Sequence, residues 1–416
     1  MNSAIEIRID KDRLTAEIEA LAAFSDAEAP AVTRIVFTPT DRKARDWMKA
    51  RCQEAGLQIR DDAIGNTFAR WNGSDPQAPV VGTGSHIDAI PNAGKYDGVV
   101  GVLGGLEAIR ALQRTGFSPK HSIELLIFAS EEPTRFGIGC LGSRLLSGTL
   151  SAETAKNLKD NDGASVEEVR QAAGLSGELD QVKLPPDYYK AFVELHIEQG
   201  PILERDHVQL GVVERIAAPA SLRLTLEGSG GHAGGVLMPD RRDALCAAAE
   251  LILAIEHAAK ATGSIDTVAT VGICDVFPGA VNSIPAKVRL SVDVRDTDLV
   301  RRDSVMHTIE QACRAASDRR RVAIHSELLN ADAPAQSGPA IIAALHQASE
   351  KHGFSFLPMT SRAYHDSLFI SRIAPVAMLF IPCHNGYSHR PDEYSSPDDI
   401  AQGALVLAEA LADLSR

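Results

Sequence analysis

The chain has 416 residues, 44% of them hydrophobic and 23% charged, which are the proportions of a folded protein long enough for two domains. A formal net charge of −13, with no run of Lys or Arg to offset it, argues against nucleic-acid binding. No 18-residue apolar segment is present, the first residues lack the apolar stretch of a secretory signal, and the six cysteines form no Cys-x-x-Cys pair. These features predict reduced, mostly buried thiols in a cytoplasmic protein that does not enter a membrane.

Residues 10–24 predict an amphipathic helix with an acid-rich first turn. Apolar strands are then expected at 79–85, 123–129 and 191–197, with a helix over 98–114 between the first two. That alternation suggests βα units and a largely parallel, buried sheet.

The middle reads differently. Strand 221–228, helix 239–261, strands 266–276 and 286–296, helix 298–318 and strand 321–328 give a βαββαβ order, the ferredoxin-like split unit. Its strands alternate as in a half-exposed antiparallel sheet, clearest in Arg289-Leu290-Ser291-Val292-Asp293-Val294-Arg295. A helix near 338–352, a strand at 375–381 and a closing helix from Ser396-Pro397-Asp398-Asp399 return to the first domain. The expectation is an α/β protein. A catalytic domain (1–216 and 330–416) carries a mixed, largely parallel sheet flanked by helices. Inserted at 217–329 is a smaller ferredoxin-like domain, whose sheet edge and long helix offer a surface for a symmetric homodimer.

Five clusters carry possible chemistry. In Gly84-Ser85-His86-Ile87-Asp88 the two side chains share one face of a strand, so Asp88 is placed to accept the ring N–H of His86 and fix a metal-binding tautomer. Alone, the pattern is a weak signal, and a surface turn after the strand is its more ordinary reading. Asp97, between Tyr96 and Gly98 at a helix start, is either an N-cap or a carboxylate bridging two cations. Glu131-Glu132 follows an apolar strand; two adjacent carboxylates there repel unless one takes a cation or a proton. His196 lies in Glu194-Leu195-His196-Ile197-Glu198-Gln199-Gly200-Pro201, and His389 in Ser388-His389-Arg390-Pro391-Asp392-Glu393. Singly these histidines read as structural, but strand ends of an open α/β sheet converge on one crevice. His232, flanked by glycines, suggests a loop that moves or is closely approached. Asn282 follows the turn Phe277-Pro278-Gly279-Ala280, and Arg295 ends a strand.

The series His86-x-Asp88, Asp97-Gly98, Glu131-Glu132, His196 and His389 resembles the dinuclear aminoacylase and carboxypeptidase superfamily. Glu194 to Pro201 and Gly231-His232-Ala233-Gly234 are similar to its hydantoinase/carbamoylase amidase branch, over about residues 20–410. That branch acts on N-carbamoyl-L-amino acids, allantoate, β-ureidopropionate and ureidoglycolate. The stretches 230–239, Ser361-Arg362-Ala363-Tyr364-His365-Asp366-Ser367 and 387–394 are similar to the ureidoglycolate amidohydrolases.

The resemblance implies two divalent ions per subunit, Mn²⁺ favoured and Zn²⁺ possible. His86 and His196 would hold one, Glu132 and His389 the other, with Asp97 bridging and Asp88 supporting. It implies Glu131 as general base and acid, His232 as a donor to the developing oxyanion, and Gln199, Asn282, Arg295, Tyr364 and His365 as substrate contacts. It also implies that the inserted domain pairs with its twin and that His232 serves the neighbouring subunit. The positive pocket and Arg295 suit a small anionic ureido substrate. An aminoacylase or dipeptidase acting on a peptide bond is the more distant alternative within the same fold.

Overall fold

Residues 6–416 are described by a computed structural model, and their contacts separate into two units. The first comprises the chain up to Glu214, Gln336–Met359 and His365–Arg416; the second comprises Arg215–Ala335 and Thr360–Tyr364.

The first unit is built on a mixed sheet. Its centre is parallel, in the order Val376–Ile381, Tyr189–Ile197, Val80–His86, Ile123–Phe128. Antiparallel strands flank this centre, Leu210–Ile216 on one side and the hairpin of Gln58–Asp61 and Thr67–Trp71 on the other. Val80–His86, Ile123–Phe128 and Val376–Ile381 are buried along their whole length, as parallel strands covered on both faces must be. Helix Val99–Arg114 lies against these strands and against helix Pro397–Leu414. A side chain at Gly101 would put its Cβ 2.4 Å from the Leu195 carbonyl oxygen, so glycine lets that helix sit directly on the sheet.

The strands and helices expected in this unit are present, with ends shifted by a residue or two. The closing helix starts where Ser396 accepts from Asp399 N–H. Helix Pro39–Glu54 and the hairpin beside it were not anticipated. That helix is dominated by Arg, Lys, Asp and Glu, so its buried residues Ala44, Met48 and Cys52 make only a thin apolar stripe.

The second unit is a four-stranded antiparallel sheet in the order Val268–Phe277, Lys287–Asp296, Ala218–Glu227, Ala323–Ala331. Helices Ala244–Ala261 and Leu299–Arg320 cover one face and enclose an apolar core with Leu224, Leu251, Val292 and Ile309. Val288, Leu290, Val292 and Val294 point into it, while the residues between them are more exposed. Helix Ala244–Ala261 starts five residues after the expected position 239. Asp243 accepts from the N–H groups of Leu245 and Cys246 and sets the start there, leaving Met238–Asp240 as a separate short turn. Residues 360–364 join this unit through Ala217 N–H to Ser361 O (2.8 Å) and the Arg362–Asp266 ion pair (2.7 Å). No helix among the described residues is long and apolar enough to cross a membrane.

Candidate metal centre

His86 closes strand Val80–His86, His196 lies near the end of Tyr189–Ile197, and Glu131-Glu132 follows Ile123–Phe128. Because these strands run parallel, their carboxyl ends deliver all of these groups to one edge of the sheet. Asp97 precedes helix Val99–Arg114. Its side chain does not cap that helix; Gly98 takes the N-cap position with φ +67°. A Cβ on Gly98 would lie 2.5 Å from His86 Nε2, so both its backbone conformation and the space require glycine.

Three imidazoles converge on the freed carboxylate. His196 Nε2 is 3.2 Å and His86 Nε2 3.5 Å from Asp97 Oδ1, and His389 Nε2 is 3.3 Å from Oδ2. His389 Nε2 is also 3.4 Å from Glu132 Oε1. The other ring nitrogens face backbone carbonyls, His86 Nδ1 to Asp88 O (3.0 Å) and His196 Nδ1 to Ile197 O (2.9 Å). That leaves both Nε2 lone pairs on the Asp97 side. The sequence reading gave the first of these acceptor roles to the Asp88 carboxylate. Instead its two oxygens accept the N–H groups of Glu131 (3.2 Å) and Glu132 (3.0 Å). Asp88 therefore ties the His86 turn to the acidic pair.

The acidic pair is held from the other side too. The carbonyls of Ala129, Ser130 and Glu131 accept from Gly142, Leu141 and Cys140, at the start of helix Leu141–Ser147. Glu131 Oε2 lies 3.8 Å from His86 Nε2, and Oε1 accepts the Cys140 thiol at 3.4 Å.

His389 is half-exposed on a loop, but the loop is fixed beside it. Ser388 Oγ lies between two carboxylates, donating to Asp97 Oδ2 (2.5 Å) and standing 3.0 Å from Glu393 Oε2, and Glu393 Oε1 accepts from the N–H groups of Tyr96 (2.8 Å) and Asp97 (3.0 Å). Neither Ser388 nor Glu393 was assigned a role from sequence; their motif was visible, their partners 291 to 297 residues away were not. Ser130, Gln199 and His389 all adopt φ between +54° and +59°, strained backbone concentrated at this edge of the sheet.

The charges require compensation. Burial alone would raise the Asp97 carboxyl, yet the three histidines hold it well below the usual range. Burial, reinforced by Glu132, Asp366 and Asp88, pushes Glu131 well above its ordinary value. Glu132 rises to about 7 through burial and Asp97. His389 is raised to about 9 by its contact with Asp97. His86, although burial would lower it, is raised well above normal by Glu131, Asp97 and Asp88. A buried acidic cluster that draws protons onto its imidazoles will accept cations in their place.

The donor geometry meets that demand. In the group His86, Asp97, His196 and in the group Asp97, Glu132, His389, all ligand atoms lie within 4.8 Å of one another. Imidazole and carboxylate donors sharing one aspartate fit two divalent cations. A third group, Glu194, His196 and His365, is less open. Glu194 already accepts from Ser85 Oγ (2.7 Å) and from Ser367 Oγ (2.6 Å).

The expected substrate residues are dispersed. Gln199 donates its amide to Asp97 Oδ2 (2.7 Å), while its Oε1 is buried without a partner. His365 is buried behind His196, with ring centroids 4.5 Å apart. His232, Asn282, Arg295 and Tyr364 belong to the second unit. There Arg295 pairs with Asp293 through Nε (2.7 Å) and Nη2 (3.4 Å), donates Nη1 to Arg362 O (3.2 Å), and lies over the Tyr364 ring at 5.5 Å. The positive charge of Arg295 is thus matched within the unit by Asp293.

The model of peptidase family M20/M25/M40 matches residues 82–413. Ureidoglycolate hydrolase of Oryza sativa subsp. japonica is 52% identical over 98% of this chain and 85% of its own length. The crystal structure of AtUAH in complex with glyoxylate superposes with a TM-score of 0.92 at 50% identity, covering all of both chains. An N-carbamoyl-L-amino acid amidohydrolase of Geobacillus stearothermophilus is 37% identical over 98% of this chain and 99% of its own.

Proposed function

The chain belongs to peptidase family M20/M25/M40, and from that premise we propose that it hydrolyses the ureido C–N bond of a small carboxylate substrate, ureidoglycolate. The products are glyoxylate, ammonia and carbon dioxide, glyoxylate forming as the released amine breaks down. The observation that carries the chemistry is the convergence of His86, His196 and His389 on Asp97, with Glu132 and Glu131 beside them. The substrate is supported by likeness at half identity or better, along the whole chain, to proteins called ureidoglycolate hydrolase.

We assign His86 and His196 to one divalent ion, Glu132 and His389 to the other, and Asp97 to both. Mn²⁺ suits this oxygen and imidazole set, as does Zn²⁺. Bound there, the ions supply a Lewis acid for the carbonyl and a lowered pKa for water. Glu131, anchored through its backbone by Asp88 and helix Leu141–Ser147, takes the proton of the attacking water and returns it to the departing nitrogen. Gln199 and Ser388 orient the Asp97 carboxylate, and His365 backs the His196 ring. Arg295 takes the substrate carboxylate by exchanging it for Asp293, with Tyr364 beneath the guanidinium. His232 and Asn282 complete the grip, His232 donating to the oxygen that gains charge.

The second unit, in its strand order a ferredoxin-like domain, is the proposed lid and the contact of a homodimer. Sedimentation equilibrium should return twice the chain mass, and a monomer at micromolar concentration would contradict it. Six free cysteines, two of them exposed, fit a reducing cytoplasm.

The likeness to the Geobacillus enzyme, and one at 32% identity to an allantoate amidohydrolase of Escherichia coli (strain K12), favour a second reading, an N-carbamoyl-L-amino acid or allantoate hydrolase. Ammonia release decides between them, measured after Mn²⁺ reconstitution on ureidoglycolate, allantoate and several N-carbamoyl-L-amino acids. The highest kcat/KM should fall on ureidoglycolate; a higher value on any other compound replaces the substrate assignment.

A further inference from the structure

We infer that Arg241 is a positioning residue for His232, and that the loop it clamps holds the His232 ring as its Nε2–H tautomer. This rests on the reading of His232 as a hydrogen-bond donor to the reacting carbonyl oxygen. The loop itself lies wholly within the second unit.

His232 ends a two-residue ladder in which it pairs with Ser283, and the next amide, Ala233 N–H, donates to Asn282 O at 2.9 Å. The chain then folds back, with His232 O accepting from Gly235 N–H (3.0 Å) and Val236 N–H (3.3 Å). Inside this turn Gly234 N–H points at the imidazole and donates to Nδ1 at 3.1 Å. A backbone amide is only a donor, so Nδ1 must be the unprotonated ring nitrogen. A neutral imidazole then carries its proton on Nε2.

The turn is made of Gly234 and Gly235, the residues with the widest choice of backbone conformations. Unsupported, it would not keep one amide under the ring. Arg241 supplies the support by donating Nε to Val236 O (3.1 Å) and Nη2 to Ala233 O. One planar group thus straps two carbonyls on either side of the glycine pair. Arg241 is half-buried, and two residues later Asp243 caps helix Ala244–Ala261, so the strap is rooted in a rigid element. Lysine can hold one carbonyl but not both at the spacing of a guanidinium fork.

The tautomer matters to the chemistry. With Nε2–H the ring offers a donor to an oxygen gaining negative charge; with Nδ1–H it would offer a lone pair, which repels. Arg241 therefore acts on the reaction through the ring it orients.

The test labels histidine with ¹⁵N and reads ring tautomers at pH 8.5 by two-bond ¹H–¹⁵N correlation, with His232→Gln identifying the signal. The wild-type ring should be almost wholly Nε2–H. Arg241→Lys and Arg241→Ala should give mixed tautomers and lower kcat roughly tenfold to hundredfold, with KM within about twofold. Gly234→Pro, which removes the amide donor and leaves Arg241 in place, should mix the tautomers too. A wild-type ring that is Nδ1–H or already mixed overturns the inference, as does an unchanged tautomer in Arg241→Ala. If His232→Gln keeps full kcat, the role of His232 in the reaction fails, while the tautomer data still decide whether Arg241 sets the ring.

Discussion

The two units hold their candidate chemistry in opposite ways. In the first, Asp97 is buried and contacted by three imidazoles, an amide and a hydroxyl, and the imidazoles and the hydroxyl are fixed in turn by backbone carbonyls or a second carboxylate. In the second, His232 is exposed at the end of a two-residue strand, Asn282 is exposed on a turn, and Arg295 is half-buried in an ion pair with its near neighbour Asp293. Groups that would hold cations repel or collapse unless they are fixed beforehand, so they are over-determined and, apart from the half-exposed His389, buried. Groups that would grip a substrate must exchange partners, which suits exposed turns, strand ends and ion pairs that water can reach.

That contrast can be broken at either end. The largest effect is expected from Glu131→Gln, which keeps the backbone anchored by Asp88 and removes only the proton acceptor. It should lower kcat by a factor on the order of 10² or more. Elemental analysis should still find two ions per chain, and loss of an ion would place Glu131 among the ligands. Arg295→Lys comes next. A point charge cannot reproduce the guanidinium fork, so KM should rise about tenfold with kcat far less affected. An unchanged KM means that the substrate carboxylate is held elsewhere. The smallest effect is expected from Tyr364→Phe, which keeps the ring under Arg295 and removes one hydroxyl. It should weaken ureidoglycolate turnover by roughly fivefold while sparing N-carbamoyl-L-amino acids. An equal fall on all of them would make Tyr364 a packing residue.

The elements and the ligand candidates were legible in the sequence for different reasons. Strands such as Ile123–Phe128 announce themselves because parallel strands buried on both faces are continuously apolar. His86, Glu132 and His196 stand at the ends of such strands, where polar residues have no packing reason to be. Glu393 and Ser388 were not legible, because their roles depend on contacts with Tyr96 and Asp97 that only the fold creates. The acceptor for the His86 ring was placed on the wrong group of the right residue. The strand ends at His86, so the strand-face argument does not reach Asp88, whose carbonyl lies 3.0 Å from the ring and its carboxylate 3.8 Å. The expected start at Pro239 is too early because Pro239 to Arg242 carry no cap of their own, whereas Asp243 accepts from Leu245 and Cys246 N–H and sets the first turn of helix Ala244–Ala261.

The central claim, that two ions share Asp97, is tested most directly by titrating metal-free protein with Mn²⁺. Wild type should bind two ions per chain, and Asp97→Ala, with an unchanged circular dichroism spectrum, should bind neither at the same concentrations, because each donor set loses its shared member. One ion in wild type, or two retained in Asp97→Ala, would contradict the account.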